Sequence, residues 1–516
     1  MSYHNKKICI VGGGTTGWSA AAYLSKFGRF QIEIIEPEVN EPIGVGESTL
    51  PYLENFHSST GFKEFNRREW VNKVDGTGKF TIEFANFFKK STKWVHPFFI
   101  NGQDEGALDA FNHGLVRAPS GAGQYNWVSK TLGMAKLRQE GFKDTKNLPQ
   151  VGMGFHLDAT KYAQLLRELS LTRDNVKLTH GTVTDIRWDD ENISAVVLDN
   201  AAEIEADYYL DATGFSSILN PSPWVSYEKE LFCDSAWAVQ LPYLEEATQK
   251  RNTTYCHGLK NGWVWNVPLQ SRVGTGYVFS SRHISAEGAK KEFLAHLREE
   301  YGYDTETLTP RLVNFQSGHR KEPWKGNVVS IGLASMFIEP LESTAIALTH
   351  VALHNLEPLL TADHVDLEVR KKRFNKRTIK KSLQTLDFIT AHYKFSQRSD
   401  SRFWRDCQKL RVRPKVFKLL ETYADKETTL LPEVVNKIYK DNCFFGNDSW
   451  GLLFLANGFP NRPSKHWKES RREICMNCEH KITRFGLNVC SLCGCIIHAK
   501  TALKQSTCPD KRWGGV

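Results

Sequence analysis

At 516 residues, with 41% hydrophobic and 24% charged side chains, the chain has an ordinary globular composition, which excludes a disordered or fibrous protein and leaves room for about three domains. No apolar run approaches the roughly 18 residues of a membrane span, and the opening MSYHNKKICIV enters a strand without a secretory h-region, which points to the cytoplasm. The net charge of +9 is uneven: from Asn461 onward eleven Lys and Arg face four Asp and Glu, so the nearly neutral remainder does not advertise nucleic acid.

Lys6 to Val11 (KKICIV) reads as a short apolar strand, followed at once by GGGTTG and a small, apolar helix closed by Gly28. In this turn, which also holds Gly13 and Thr16, Gly12, Gly14 and Gly17 form G-x-G-x-x-G. The glycines suit a tight turn, a close backbone approach to a pyrophosphate and close helix-to-strand packing, with the phosphates resting on a helix N-terminus. QIEIIEPE is a second strand ending at Glu36, 19 residues past Gly17, a carboxylate placed to bond a ribose hydroxyl. Strand, glycine turn, helix, strand and acid in this order predict a dinucleotide site.

GVGESTLP, with Ser48, comes next, then DGTGKFTIEFANF. Alternation there sets Phe80, Ile82 and Phe84 on one face and Lys79, Thr81 and Glu83 on the other, which by pattern alone makes Lys79 a solvated lysine. KWVHPFFING carries His96 and Phe98. EIEADYYLDATGFSS sets a strand before Asp211-Ala212-Thr213-Gly214. In NGWVWNVPLQ, Trp263 and Trp265 share one strand face, a double indole wall that ordinary core packing would also explain. KGNVVSIGLAS runs a strand into Gly332-Leu333-Ala334. EPLESTAI leads into an apolar helix, with Glu342 in apolar company, hence paired or neutral, or serving as a helix cap for which Glu339 competes. Ser343-Thr344-Ala345 sits at the mouth of that helix, whose first N–H groups are unsatisfied and suit an anion.

The D-A-T-G and late glycine segments resemble the flavoprotein monooxygenase superfamily, which implies FAD rather than NAD; the late segment departs from the usual G-D-A by reading Gly332-Leu333-Ala334. GVGESTLP, W-x-W-x-V-P (Trp263 to Pro268) and EPLESTAI together resemble the flavin-dependent halogenases of the tryptophan halogenase type, over roughly the first 350 residues. The resemblance implies an enzyme in which reduced FAD, oxygen and chloride, bromide or iodide give hypohalous acid. The acid passes through an internal tunnel to an electron-rich aromatic substrate that Trp263 and Trp265 keep from the flavin. It implies Lys79 and Glu342 as catalytic residues and Thr344 and Ala345 as halide contacts, with alanine at 345 where many relatives carry glycine. Ser48, Leu333, Ser343 and Ile346 would lie at the flavin, and His96 and Phe98 would border the substrate. Partners would be a separate NAD(P)H flavin reductase and, with neither membrane nor nucleic acid, a further copy of the chain. An aromatic hydroxylase or monooxygenase and a catalytically reduced flavoprotein that binds through its tail are the competing readings.

The tail gathers six of eleven cysteines. Cys475-x2-Cys478 and Cys490-x2-Cys493, eleven residues apart, have the spacing of a structural, tetrahedral zinc site in a cytosolic chain, with Cys495 and Cys508 as alternates. Basic residues with Trp467 and Trp513 permit nucleic-acid contact, yet a small ribbon kept soluble by charge accounts for the same pattern. The tail resembles a module of phage-encoded proteins, implying a viral member of the family, as in marine cyanophages, acting in the host cytoplasm. The expected fold is α/β: a three-layer, FAD-binding, flavoprotein monooxygenase-like core over 1–350, a mainly helical substrate-capping region over 351–460 and a zinc-ribbon-like module over 461–516.

Overall fold

The computed structural model describes residues 5–38, 46–65, 67–98, 152–425, 439, 444–457, 465–501, 506–510 and 512. Trp513 lies outside them, as does the side chain of Trp467. Among the described residues no helix is long and apolar enough to cross a membrane.

Three sheets position the site. The first has the order Trp324–Lys325, Val328–Ser330, Tyr208–Asp211, Lys6–Val11, Phe30–Glu36, Val176–His180, parallel except for the first pair. Lys6–Val11 lies inside this sheet, covered on both faces, which is why its last four residues are apolar and buried rather than alternating. Helix Thr15–Leu24 follows directly and packs against helices Ala159–Ser170 and Ala345–Leu360. Gly17 lets this helix sit close against the strand and turn before it, because a Cβ there would stand 1.8 Å from the Gly12 carbonyl oxygen.

The second sheet has seven strands, ordered Arg311–Asn314, Ser235–Leu241, Val273–Phe279, Gly262–Pro268, Thr253–Gly258, Thr81–Ala85, Lys93–Pro97. Gly262–Pro268 alternates as expected: Trp263 and Trp265 pack on the side of the long helices, Val264 on the opposite side against helix Ala286–Tyr301. The third sheet is small, with Gly154–Leu157 between Glu47–Ser48 and Thr77–Lys79, all antiparallel.

The DGTGKFTIEF stretch corrects the reading of one half-exposed strand. Thr77–Lys79 belongs to the small sheet and Thr81–Ala85 to the seven-stranded one, and Thr81–Ala85 is buried throughout. Alternation separates inside from outside only where one face meets water. Here neither does, so Lys79 is 0% exposed rather than solvated.

Helices Leu367–Lys394, Arg402–Cys407, Pro414–Asp425 and Asn447–Ala456 cover the indole face. Helix Ala345–Leu360 runs through the expected boundary at 350, and Leu353 and Leu356 join the nucleotide-side core. In the tail, Lys481–Arg484 and Leu487–Cys490 form a hairpin, and Ile496 and Ala499 bury themselves in the same core as Trp404 and Trp450.

Candidate active site

The site is built on the turn from Glu339 to Ala345. Pro340–Glu342 forms one tight turn, Ser343 adopts a left-handed φ of 59°, and Thr344 opens helix Ala345–Leu360. A buried carboxylate is costly unless it is paired: Glu342 faces two imidazoles, whereas Glu339 is held by neutral donors. Glu342 Oε2 lies 2.8 Å from His96 Nδ1, and Glu342 Oε1 lies 2.9 Å from His392 Nε2, an ion-pair distance without the alignment of a hydrogen bond. His392 Nδ1 faces the Phe388 carbonyl at 2.8 Å, which leaves Nε2 toward the carboxylate. Glu339 Oε1 accepts hydrogen bonds from Trp263 Nε1 (3.1 Å) and the Tyr393 hydroxyl.

Electrostatics separates the two acids. Burial alone would push Glu342 upward, but His96 and His392 hold its carboxyl down at about 2. Burial pushes Glu339 up to about 7 against the bonds from Tyr393 and Trp263. Of the two competitors, Glu342 is the firm anion.

His392 and Tyr393 carried no signal in the sequence beyond an aromatic stretch of helix. His96, expected to border a substrate ring, has Nδ1 on Glu342 and Nε2 3.0 Å from the Ser449 hydroxyl, with Phe388 beside it. An imidazole with both nitrogens engaged inside the protein positions the carboxylate. Phe98 is buried, with the Lys79 ammonium 4.8 Å above its ring.

Lys79 Nζ donates to Ser343 Oγ at 2.8 Å and to the Thr49 carbonyl at 3.3 Å. Burial brings its pKa down to about 7, against the opposing fields of Glu342 and Cys256. The structure thus brings the lysine and the turn of Glu342 together through Ser343, across 264 residues of sequence. The indole pair meets the same turn at Glu339 through Trp263 Nε1, with ring centroids 6.3 Å apart. Gly276 makes room for Trp265, since a Cβ there would be 2.2 Å from Trp265 Cη2.

The glycine turn suits a nucleotide. Gly14 caps helix Thr15–Leu24 with open space around it, and Thr16 abuts Gly332. Glu36 folds over Gly13, taking hydrogen bonds from Trp18 Nε1 (3.0 Å) and Arg167 Nε (3.1 Å). Gly214 borders open space. Asp211, expected at the cofactor, pairs in register with Val11 at the end of its strand, and its carboxylate accepts from Thr213, Ser217, Leu219 and Asn220, so its side chain shapes its own loop. Gly332, Leu333, Ser335, Ala345 and Leu348 line one cavity. At its helix mouth the Thr344 hydroxyl is fully buried without a partner, a polar atom suited to a ligand. Ile346 turns into the nucleotide-side core, and Ser48 bonds Ser343 and Thr254.

In the tail, Cys475, Cys478 and Cys490 line one small cavity with both alternates, Cys495 and Cys508. Cys493, also expected among the ligands, is not in that lining and receives a hydrogen bond from Lys500 Nζ at 3.1 Å.

A family model described as tryptophan halogenase matches residues 7–472, which take in every residue of this site and stop short of Cys475. Tryptophan 7-halogenase RebH of Lentzea aerocolonigenes is 30% identical over 468 residues, 82% of each chain. Tryptophan 6-halogenase ThaL of Streptomyces albogriseolus is 29% identical over 500 residues, 90% of this chain and 91% of its own. Among solved structures, Xcc4156, a flavin-dependent halogenase from Xanthomonas campestris, has a TM-score of 0.74 at 29% identity over 89% of this chain and 90% of its own, so the α/β fold is the one these halogenases have. On its sequence match and on its fold alike, this enzyme belongs to the tryptophan halogenase family.

Proposed function

We propose that the enzyme halogenates an electron-rich aromatic compound with hypohalous acid made from halide, O2 and reduced FAD, the last supplied by a separate NAD(P)H flavin reductase. The observation that carries this reading is the meeting of a buried amine, Lys79, and a buried anion, Glu342, at one helix mouth beside the Trp263 strand. FAD, the cofactor of the family, supplies the electrons when bound. The Gly12 to Gly17 turn and its helix N-terminus would hold its phosphates, Glu36 its ribose, and Leu333, Ser343 and Ala345 its ring. The first N–H groups of helix Ala345–Leu360 and the Thr344 hydroxyl suit a halide.

Lys79 would hydrogen-bond the hypohalous acid as an ammonium, or take up the halogen as a neutral amine. A pKa near 7 makes both forms accessible at neutral pH. Glu342, clamped as an anion, would stabilise the positive ring formed when the aromatic carbon takes the halogen, and accept the proton that the carbon then loses. Indoles are the first substrates to try, since the relatives act on tryptophan. The test combines the enzyme with FAD, a reductase, each halide in turn and a panel of aromatics, followed by mass spectrometry. Halide-dependent incorporation supports the reading; an oxygenated product formed without halide makes the enzyme a hydroxylase.

For the tail we propose a structural zinc held by Cys475, Cys478 and Cys490, with the fourth thiolate from Cys495 or Cys508 in place of Cys493. Serine at 475, 478 or 490 is expected to abolish zinc binding, measured by metal analysis of the purified protein, while Cys493→Ser keeps it. The likeness of this tail to phage-encoded modules supports a viral origin.

A further inference from the structure

A line of polar side chains leads away from Lys79 through the protein interior. Lys79 Nζ donates to Ser343 Oγ (2.8 Å), Ser343 Oγ to Ser48 Oγ (3.1 Å), and Ser48 Oγ meets Thr254 Oγ1 (2.7 Å). Thr254 Oγ1 meets His156 Nε2 (2.9 Å), His156 Nδ1 meets Thr77 Oγ1 (3.0 Å), and Thr77 Oγ1 donates to the Pro268 carbonyl (2.6 Å). Lys79 and His156 are fully buried, as nearly are Ser343 and Thr254.

Both ends fix the direction of every bond. An ammonium only donates and a carbonyl only accepts, so each hydroxyl between them donates away from Lys79. His156 must then carry its hydrogen on Nδ1, toward Thr77, and offer Nε2 as the acceptor for Thr254. The fold enforces this: His156 lies in register opposite both Ser48 and Thr77 in the small sheet, Thr254 comes from the seven-stranded sheet, and Pro268 closes the strand of the indole pair. A chain of hydroxyls ending on the free nitrogen of a neutral imidazole can pass a proton between two buried groups, here Lys79 and His156, with Ser48 and Thr77 half-buried along the line.

We propose that this chain is a proton relay, in which His156 takes up the proton that Lys79 gives off before its amine reacts. The inference rests on the role assigned to Lys79 above. The ammonium proton passes to Ser343 as Ser343 passes its own to Ser48, Ser48 to Thr254, and Thr254 to His156 Nε2. The amine is left neutral and the imidazole cationic, no electron moves, and the reverse sequence restores the start. The groups facing Lys79 are Glu342, Cys256 and His156; Glu342 in turn faces His96 and His392, and Glu47 precedes Ser48 on its strand. Burial holds His156 well below the usual imidazole range and the Lys79 charge adds to this; the second penalty is lifted once the amine has released its proton, the first remains, so the imidazolium is a short-lived carrier.

The test uses full-length enzyme with FAD, a reductase and halide, on whichever aromatic the panel identifies. Thr254→Val cuts the chain at nearly constant shape, His156→Gln keeps hydrogen-bonding groups that take up no proton, and Thr254→Ser restores the hydroxyl. The first two are each expected to lower kcat by about 100-fold, the low end for a positioned proton acceptor. Substrate KM and retained FAD should not change, and the rise of rate expected of the parent as the Lys79 amine loses its proton through about pH 7 should flatten. Thr254→Ser should recover the parent rate, and the double variant should be no worse than either single one, as for groups that act as a unit. A parental kcat and pH profile in Thr254→Val would overturn the relay, as would additive losses accompanied by lost FAD. Lys79→Ala is run alongside: if it is inactive while Thr254→Val is parental, only the relay fails, whereas an active Lys79→Ala removes the reading of the site itself.

Discussion

Alanine in place of Lys79 is expected to leave FAD bound and to eliminate halogenated product, a fall of about 1,000-fold or more if the amine is the group that delivers the halogen. Among the described residues, the side chain touches the site through Ser343 Oγ, the Thr49 carbonyl and the face of Phe98. Its removal therefore leaves the glycine turn, and with it the nucleotide, untouched. Mass spectrometry of the reaction and the flavin absorbance of the purified variant read the two expectations separately. A stability measurement adds an independent check. Burial lowers the amine to about 7 from an ordinary 10.5, so below pH 7 the fold carries the cost of a buried cation. Between about 7 and 10.5 the unfolded chain binds the extra proton, and stability rises with pH. Lys79→Met, apolar and of similar volume, should accordingly be more stable than the parent by about 2 kcal/mol at pH 6, and inactive. A higher thermal midpoint with no product would be the expected trade of stability for function.

Glu342→Gln is expected to cost both activity and stability. Gln keeps the volume but not the charge, and it leaves two buried imidazoles facing a neutral amide. Breaking a buried pair by removing one member costs about 3 kcal/mol or more. The pH dependence has a definite sign. The carboxyl is held at about 2 in the fold against an ordinary 4.5, so its contribution is fully present above pH 4.5 and is lost as pH falls toward 2. The stability gap between parent and Glu342→Gln should therefore be widest at neutral pH and narrow through that window, measured as thermal midpoints across pH. A gap that does not vary between pH 2 and 5 would contradict the clamp by His96 and His392.

These two variants act at residues with different histories in the sequence. Glu342 sits in a stretch whose chemistry is local: an acid in apolar company, a tight turn and a helix mouth are all set within about ten residues. Lys79 does not. Its alternating neighbours describe a half-exposed strand, and only the pairing of Thr77–Lys79 with Gly154–Leu157 and of Thr81–Ala85 with Thr253–Gly258 buries it. His96 was legible as a residue of the site but not as the clamp on Glu342, because that contact spans 246 positions. His392 and Tyr393 left no trace at all, since an aromatic stretch in a long helix has the same pattern whether it lines a core or holds two acids.

By itself the sequence determined what short-range chemistry determines: the strand, glycine turn and helix of the nucleotide site, the shared face of Trp263 and Trp265, the helix mouth at Thr344, and the cysteine-rich tail. Tertiary structure alone decided that Lys79 is buried, that Glu342 rather than Glu339 is the anion, and that His156 ends a line of hydroxyls from the lysine. The physical reason is common to all three. Burial, field and hydrogen-bond direction depend on which strands pair and which helices cover them, and those contacts join segments that lie as much as hundreds of residues apart in the chain.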